Sequence, residues 1–384
     1  MSNISGRYAI VGVGESDVGR KLGRSGMALQ LEAAKRAIAD AGLDRSAIDG
    51  VIARPSHAEP AFNYSAVLAG RMGVAPTYFT DIALSGAATA AMVLDAVAAI
   101  EAGLCTTVLI ISGDAQTSRG GPRRGGAVNW MDDFEKPFGL LSAPESYALG
   151  ARRHMHEFGT TSEQFGAVAV ACRKHASLNP TAVFRTPITL ADHQASRFVA
   201  EPFRLLDCCP VTDAAAALIV TTAERARDLK QTPVYLLGAG QGFTHSDLPW
   251  TVPMTTTAAK TASERAYAMA KLGPKDIDVA ELYDCFTYVV LVTLEDYGFC
   301  AKGEGGAFVE GGRIELGGAL PVNTGGGLLS HGHATGALLL SEAALQMRGG
   351  GGARQVANAE TAIVSGQCAV TGVNVCLIFG NHLH

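Results

Sequence analysis

Three stretches of this chain occur twice, in the same order, and no other feature limits its fold as strongly. Leu43-Asp-Arg-Ser-Ala-Ile-Asp-Gly50 returns as Leu272-Gly-Pro-Lys-Asp-Ile-Asp-Val279, behind a helical run at 261–271. An apolar run at 78–84, the pair Ser85-Gly86 and a small-residue helix at 87–102 return as an extended run at 319–323, a glycine-rich turn and a helix at 337–348. Thr107-Val-Leu-Ile-Ile111 returns as Thr361-Ala-Ile-Val-Ser365. One echo arises easily by chance. Three in one order imply a duplicated βα unit with two related helices buried at its centre.

The remaining pattern agrees. Tyr8–Gly14 is an apolar run ending in glycine and reads as a buried strand. A helix follows at 27–41, with Met27, Leu29, Leu31, Ala34 and Ile38 apolar and Gly42 as its stop. Strands are expected at 48–53 and 106–112. This β–α alternation predicts a mostly parallel sheet covered on both faces. Gly12 and Gly14 lack the third spaced glycine of a dinucleotide fingerprint, so a Rossmann reading is weak.

Residues 116–200 interrupt the repeat. Their basic loop Ser118–Gly126 suits solvent or an anion equally well. Helices around 143–157 and 162–177 are expected to cap the sheet as an inserted lid. The organisation is therefore an N-terminal half from 1–115 and 201–240, an insert at 116–200 and a C-terminal half at 241–384.

At 384 residues the chain exceeds the usual limit of one hydrophobic core. With 48% hydrophobic and 17% charged residues and 45 glycines, it suits a well-buried α/β enzyme rather than a disordered chain. A net charge of −5 leaves no basic footprint for nucleic acid. The longest apolar stretch, 87–111, is interrupted at Gly103 and Thr106, so no membrane span is expected. The first residues lack the regions of a signal peptide, and a cytoplasmic location is expected. The eight cysteines form no CxxC pair, so neither a metal site nor a disulfide is expected.

Chemistry concentrates in Pro321–Gly336, where three glycines precede His331-Gly332-His333 and a buried helix follows. A helix N-terminus offers free N–H groups and partial positive charge, and an imidazole there can polarise a carbonyl or hold an oxyanion.

Four blocks resemble the thiolase superfamily, in the branch of the sterol carrier protein x thiolase domain. Leu206–Ala217 is similar to that branch's Cys-Cys-Pro segment, and Glu281–Phe286 to its Glu-Leu-His-Asp-Cys-Phe block. Asn323–Gly336 resembles its Asn…Gly-His-Pro-Leu-Gly turn, and 87–112 the stretch after its nucleophile. The resemblance implies an α/β fold of two duplicated halves, a five-layered thiolase-like αβαβα core. It also implies coenzyme A thioesters as substrates, with no bound cofactor, and a homodimer.

The departures carry the functional expectation. The position of the family's cysteine nucleophile falls on Gly86, after Ser85, and the family's third-block histidine is replaced by Tyr283. A last-block Cys or His aligns near Gly366, or near Cys368 with a two-residue shift. His333 is retained. This pattern resembles acyl-CoA retro-aldolases of steroid side-chain breakdown, which work with a small OB-fold, zinc-ribbon partner. The resemblance then implies Tyr283 as general base or proton relay for a β-hydroxyl, and His333 with the Gly86 N–H at the enolate oxygen. His331 and Ser85 are lesser site candidates, Asp284 and Cys285 structural ones, and Asp213 an N-cap for a following helix. Two alternatives stand beside this reading. One is an atypical 3-oxoacyl-CoA thiolase or acyltransferase using Ser85, Cys285 or Cys368. The other is a catalytically silent subunit that binds coenzyme A esters.

Overall fold

The computed structural model describes residues 4–57, 59, 61–118, 135–246 and 254–383. Strands β1 (Tyr8–Glu15), β2 (Gly50–Ala53), β3 (Tyr78–Asp81), β4 (Thr107–Ala115) and β5 (Asp213–Thr222) belong to the first half. Strands β6 (Val234–Phe243), β7 (Val279–Glu281), β8 (Thr361–Cys368) and β9 (Val373–Gly380) belong to the second. Their spatial order is β3-β2-β4-β5-β1-β6-β9-β8-β7, so that outward from the β1/β6 seam β5, β4 and β2 on one side answer to β9, β8 and β7 on the other, with β3 an additional edge strand. The seam itself is slight, with only Ala9 opposite Tyr235 and Ile10 opposite Val234.

Helices fill three layers around the two halves of the sheet. Between the halves lie α3 (Ala88–Glu101) and α8 (Ala337–Met347), each packed on strands of both halves and on each other. Outside the first half lie α1 (Gly26–Ala41) and α2 (Tyr64–Met72), and outside the second α6 (Ala258–Ala270) and α7 (Thr287–Asp296). Both central helices are apolar nearly all round, as burial on every side requires. The insert contributes α4 (Ala143–Phe158) and α5 (Ser162–Ser177), the latter packed on α7. Its basic loop from residue 119 to 126 lies outside the described residues. Together the layers form the αβαβα sandwich.

The glycines in β1 have a packing purpose. A Cβ on Gly14 would come within 2.3 Å of Ala37 N, so α1 lies directly on the strand backbone. The matching Gly240 of β6 meets Ala262 O of α6 at 2.0 Å. The same close helix-on-strand contact is thus built in both halves.

Three local expectations are corrected. The sheet is mixed: only β2/β3, β2/β4 and β7/β8 are parallel, and the other five pairings are antiparallel. A helical crossover makes neighbouring strands parallel, but β8 and β9 are joined by a tight turn, and the long insert leaves β5 free to run against β4. The run at 319–323 makes only an isolated bridge, Ala280 to Val322. Pro321 has no N–H to donate, and Asn323 turns away at φ 55°. Finally, Asp213 caps no helix. It opens β5 and accepts hydrogen bonds from Leu22 N (3.0 Å), Thr117 N (2.7 Å) and Ser118 N (3.1 Å).

Burial pushes the Asp213 carboxyl up, but its bonds to Ser118, Thr117 and Leu22 outweigh this and hold it below the usual carboxylate range. Its stabilisation is therefore complete above the ordinary Asp value and fades as pH falls through the lower folded one. Asp213→Ala should cost about 2–4 kcal/mol in urea unfolding at pH 7, since several N–H groups lose their acceptor. That cost should shrink below about pH 4.

Candidate active site

The site forms where the two halves meet, at the N-terminal ends of α3 and α8. From the second half, β7 runs into the loop Leu282–Phe286. The Asn323 side chain acts like a neighbouring strand for this loop, accepting from Leu282 N at 2.7 Å and donating to Leu282 O at 2.9 Å. Tyr283 N donates to Ser365 Oγ of β8 at 2.8 Å. Asp284 accepts from Leu328 N (2.7 Å) and Leu329 N (3.2 Å), drawing in the first turn of the glycine-rich segment. Burial pushes its carboxyl up to about 6, with those N–H groups pulling the other way. Asp284 thus anchors this turn through two backbone N–H groups.

The Tyr283 ring points at the turn before α3, and there the decisive contact occurs. A Cβ on Gly86 would lie 2.3 Å from Tyr283 Cζ and Oη and 2.5 Å from Gln367 O. No side chain fits at residue 86 while Tyr283 occupies this place. The space beside residue 86 is filled by the phenol of another loop.

His333 completes the pair. Its backbone is pinned to Thr212, with His333 N donating to Thr212 Oγ1 at 2.8 Å and that hydroxyl donating to His333 O at 3.3 Å. Thr335, at φ 50°, shares a hydrogen bond with Ser112 Oγ of β4 at 2.6 Å, and Thr335 O accepts from Thr89 Oγ1 of α3 at 2.9 Å. The turn, part of the second half, is thus tied to the first. His333 Nε2 lies 3.2 Å from Tyr283 Oη, and the rings meet edge to face with centroids 6.3 Å apart.

Both groups are neutral in this setting. Burial raises the Tyr283 phenol well above its ordinary value, Cys285 and Cys209 add to this, and Arg54 opposes it. Burial lowers His333 to about 4, Arg54 adds to this, and a hydrogen bond to its own backbone and Asp114 oppose it. A phenol and an unprotonated imidazole therefore share one hydrogen bond.

The other candidates divide around this pair. Cys368, at the end of β8, lies against the Ala87 N–H, and burial outweighs that contact to push its thiol up to about 11. Cys285 is pushed up to about 12 by burial, with Tyr147 and Gln367 hydrogen bonds opposing. Neither is a thiolate at neutral pH. Ser85 is exposed at φ 42°, and no base bonds its hydroxyl among the described residues. His331 is buried elsewhere, with Nε2 3.0 Å from Thr181 Oγ1 and 3.7 Å from Glu15. Gly366 packs against the same turn, where a Cβ would lie 3.1 Å from Ala87 Cα. The structure therefore brings Tyr283, Gly86, His333 and Cys368 together and leaves Ser85 and His331 outside.

Some neighbours escaped the sequence reading. Gln367 donates to Tyr147 Oη at 2.8 Å and to Cys285 Sγ at 3.4 Å, just behind Tyr283. Arg54 and Asp114 form a buried pair near the imidazole. The one available sign was polar residues directly continuing apolar strands, as Arg54 continues 51–53 and Gln367 continues 361–366.

Comparison with known proteins agrees with this geometry. Residues 240–381 match the family model described as Thiolase C-terminal domain-like. The chain is 39% identical to the 17-hydroxy-3-oxo-4-pregnene-20-carboxyl-CoA lyase of Mycobacterium tuberculosis, over 90% of this chain and 92% of that protein. It is 38% identical to the steroid side-chain-cleaving aldolase of Thermomonospora curvata, over 91% and 92% respectively. Among solved structures, it superposes on a chain of the Ltp2-ChsH2(DUF35) aldolase with a TM-score of 0.91 at 37% identity, covering 99% of each chain. Through a duplicated five-layered fold, a site between its two halves and relatives matched along nearly their whole length, the chain belongs to the thiolase superfamily.

Proposed function

We propose that this protein is an acyl-CoA lyase that cleaves the Cα–Cβ bond of a β-hydroxyacyl-CoA by a retro-aldol step, with a bulky, steroid-like acyl group. The observation that carries this reading is the Tyr283 phenol standing where a nucleophile's side chain would be and bonded to an unprotonated His333. The relatives named as a steroid lyase and a steroid side-chain-cleaving aldolase support it.

The mechanism uses the neutral pair as a relay. Tyr283 Oη accepts the β-hydroxyl proton while its own proton passes to His333 Nε2, so no free phenolate has to form first. The Cα–Cβ electron pair moves into a thioester enolate, and the β-carbon becomes a ketone or aldehyde. The Gly86 N–H faces the enolate oxygen, and a proton returned to Cα completes the shortened acyl-CoA. No free coenzyme A, oxidant or acyl-enzyme enters the balance.

Helices α4 and α5 of the insert serve as the lid over this site, and the working unit is a homodimer that engages a small OB-fold, zinc-ribbon partner. The two-component name of the similar solved aldolase supports the partner. Among the described residues no helix is long and apolar enough to cross a membrane, which agrees with a cytoplasmic setting.

The test is an assay of the co-purified complex on β-hydroxyacyl-CoA esters. The expected outcome is a carbonyl product and a shorter acyl-CoA in equal amounts, with no coenzyme A consumed; thiolysis of a 3-oxoacyl-CoA instead would refute the lyase. Tyr283→Phe should lower kcat about 100-fold or more with KM little changed, because the relay atom is lost and the packing kept. Gly86→Ala should reduce kcat by a similar factor, about 100-fold, because the added methyl displaces the phenol. Iodoacetamide at pH 7 should leave activity intact, since Cys368 and Cys285 are both held as thiols; rapid inactivation would instead favour acyl transfer through a cysteine.

A further inference from the structure

Strand β8 holds the Tyr283 loop with two side chains of one face, since residues two apart on a strand point to the same side. Ser365 Oγ accepts from Tyr283 N at 2.8 Å, and Gln367 Nε2 donates to Cys285 Sγ at 3.4 Å. The same amide nitrogen donates to Tyr147 Oη at 2.8 Å, so its two N–H groups are divided between the loop and helix α4. The backbone of Gln367 borders a third element. Its O lies 2.5 Å from the place a Gly86 Cβ would take, beside the Tyr283 phenol. One residue, 2% exposed, thus joins the Tyr283 loop, the turn before α3 and the insert.

Tyr147 is itself fixed. Its ring meets that of Phe286, with centroids 4.8 Å apart, and Phe286 stacks on Phe203 at 5.0 Å. One turn further along α4, a Cβ on Gly150 would stand 3.1 Å from Tyr288 Cε1. After a second turn, His154 Nε2 lies 3.0 Å from Glu295 Oε1 of α7. Positions i, i+3 and i+7 share a helix face, so one face of α4 is docked on α7 and on the residue before it. The Tyr147 hydroxyl is therefore delivered to Gln367 by a helix held along two turns.

We propose that Tyr147 and Gln367 are positioning residues of the reaction: through them helix α4 fixes the loop 282–286, and with it the distance between the Tyr283 phenol and His333. The inference rests on the retro-aldol reading for its purpose, and it gives the insert a part in the chemistry beyond covering the site. The relay tolerates little error, because a proton passes between Tyr283 Oη and His333 Nε2 only at hydrogen-bond distance, here 3.2 Å. Without the Tyr147 hydroxyl, one N–H of Gln367 loses its acceptor in a buried place. The amide then reorients and its hold on Cys285 is released. Loss of a mere cover weakens substrate binding, whereas loss of positioning slows the bound substrate.

The experiment compares Tyr147→Phe, Gln367→Met and the double variant in the co-purified complex, with kcat and KM read separately. Each single change should lower kcat about 10- to 100-fold, with KM changed by no more than about threefold. The double variant should be no slower than Gln367→Met alone, because Tyr147 acts through that amide; losses that multiply instead overturn the proposal. A substrate-free reading comes from protein labelled with 13C at tyrosine Cζ, with the Tyr283 signal assigned by its loss in Tyr283→Phe. That signal should shift or broaden in Tyr147→Phe, which keeps the aromatic ring. An unmoved Tyr283 signal, an unchanged kcat, or a raised KM with kcat intact in Tyr147→Phe overturns the proposal. If Gln367→Met does not fold, Tyr147→Phe decides by the same two readings. If the Tyr283 signal moves as expected but the wild-type complex cleaves no β-hydroxyacyl-CoA, the positioning stands and the lyase reading fails.

Discussion

The contact of the Tyr283 ring with the backbone at Gly86 is the constraint on which the site depends. It joins a loop of the second half to the central helix of the first, and it works only because residue 86 has no Cβ. Space and chemistry are exchanged in one step: the volume a side chain at residue 86 would need is taken by a phenol, which reaches the imidazole of His333, in the turn before the other central helix, at 3.2 Å. A thiolase-like scaffold without an acyl-accepting group can still stabilise negative charge on a thioester, and the retro-aldol step needs only that and a route for one proton.

Such a contact tolerates little drift, and the structure holds it with buried polar groups. Asn323 fixes the loop before Tyr283, Asp284 fixes the turn before His333, and Ser112 and Thr89 fix the turn after it. Beneath Asn323 lies a further device. Thr324 Oγ1 sits between Glu281 Oε1 at 2.8 Å and Glu342 Oε1 at 2.9 Å, while Arg354 grips Glu342 with bonds of 2.9 to 3.0 Å. Burial first, and then the charge of Glu342, raises Glu281 well above the carboxylate range, so it is the protonated member. One hydroxyl cannot donate to two carboxylates, and this proton removes the conflict. The glycine-rich segment is thus anchored by a protonated acid, an ion pair and an amide rather than by a regular strand, which Pro321 forbids.

The repeat was legible because βα units leave strong local marks. Helix α1, expected at 27–41, spans Gly26–Ala41, and the small-residue helix expected at 87–102 spans Ala88–Glu101. Strand direction was not legible, since parallel and antiparallel strands buried on both faces carry the same apolar run. The motif settings singled out Tyr283, Gly86 and His333, and the structure places these three side by side. The separation of His333 from His331 was not legible, because it depends on which way each side chain leaves a turn full of positive φ values. Arg54 and Gln367 were missed for a similar reason, since a lone polar residue at a strand end carries no local sign of what it will face.

By itself, the sequence determined the duplicated halves, the buried central helices and the absence of a thiol at residues 85 and 86, because hydrophobic period and residue identity are local properties. Only the tertiary structure decided that Tyr283 fills the place above Gly86, that it meets His333 at 3.2 Å, and that both are neutral there. Those outcomes depend on desolvation and on distances between residues as far apart in the chain as 86 and 283, and such terms are set only when the two halves close on each other.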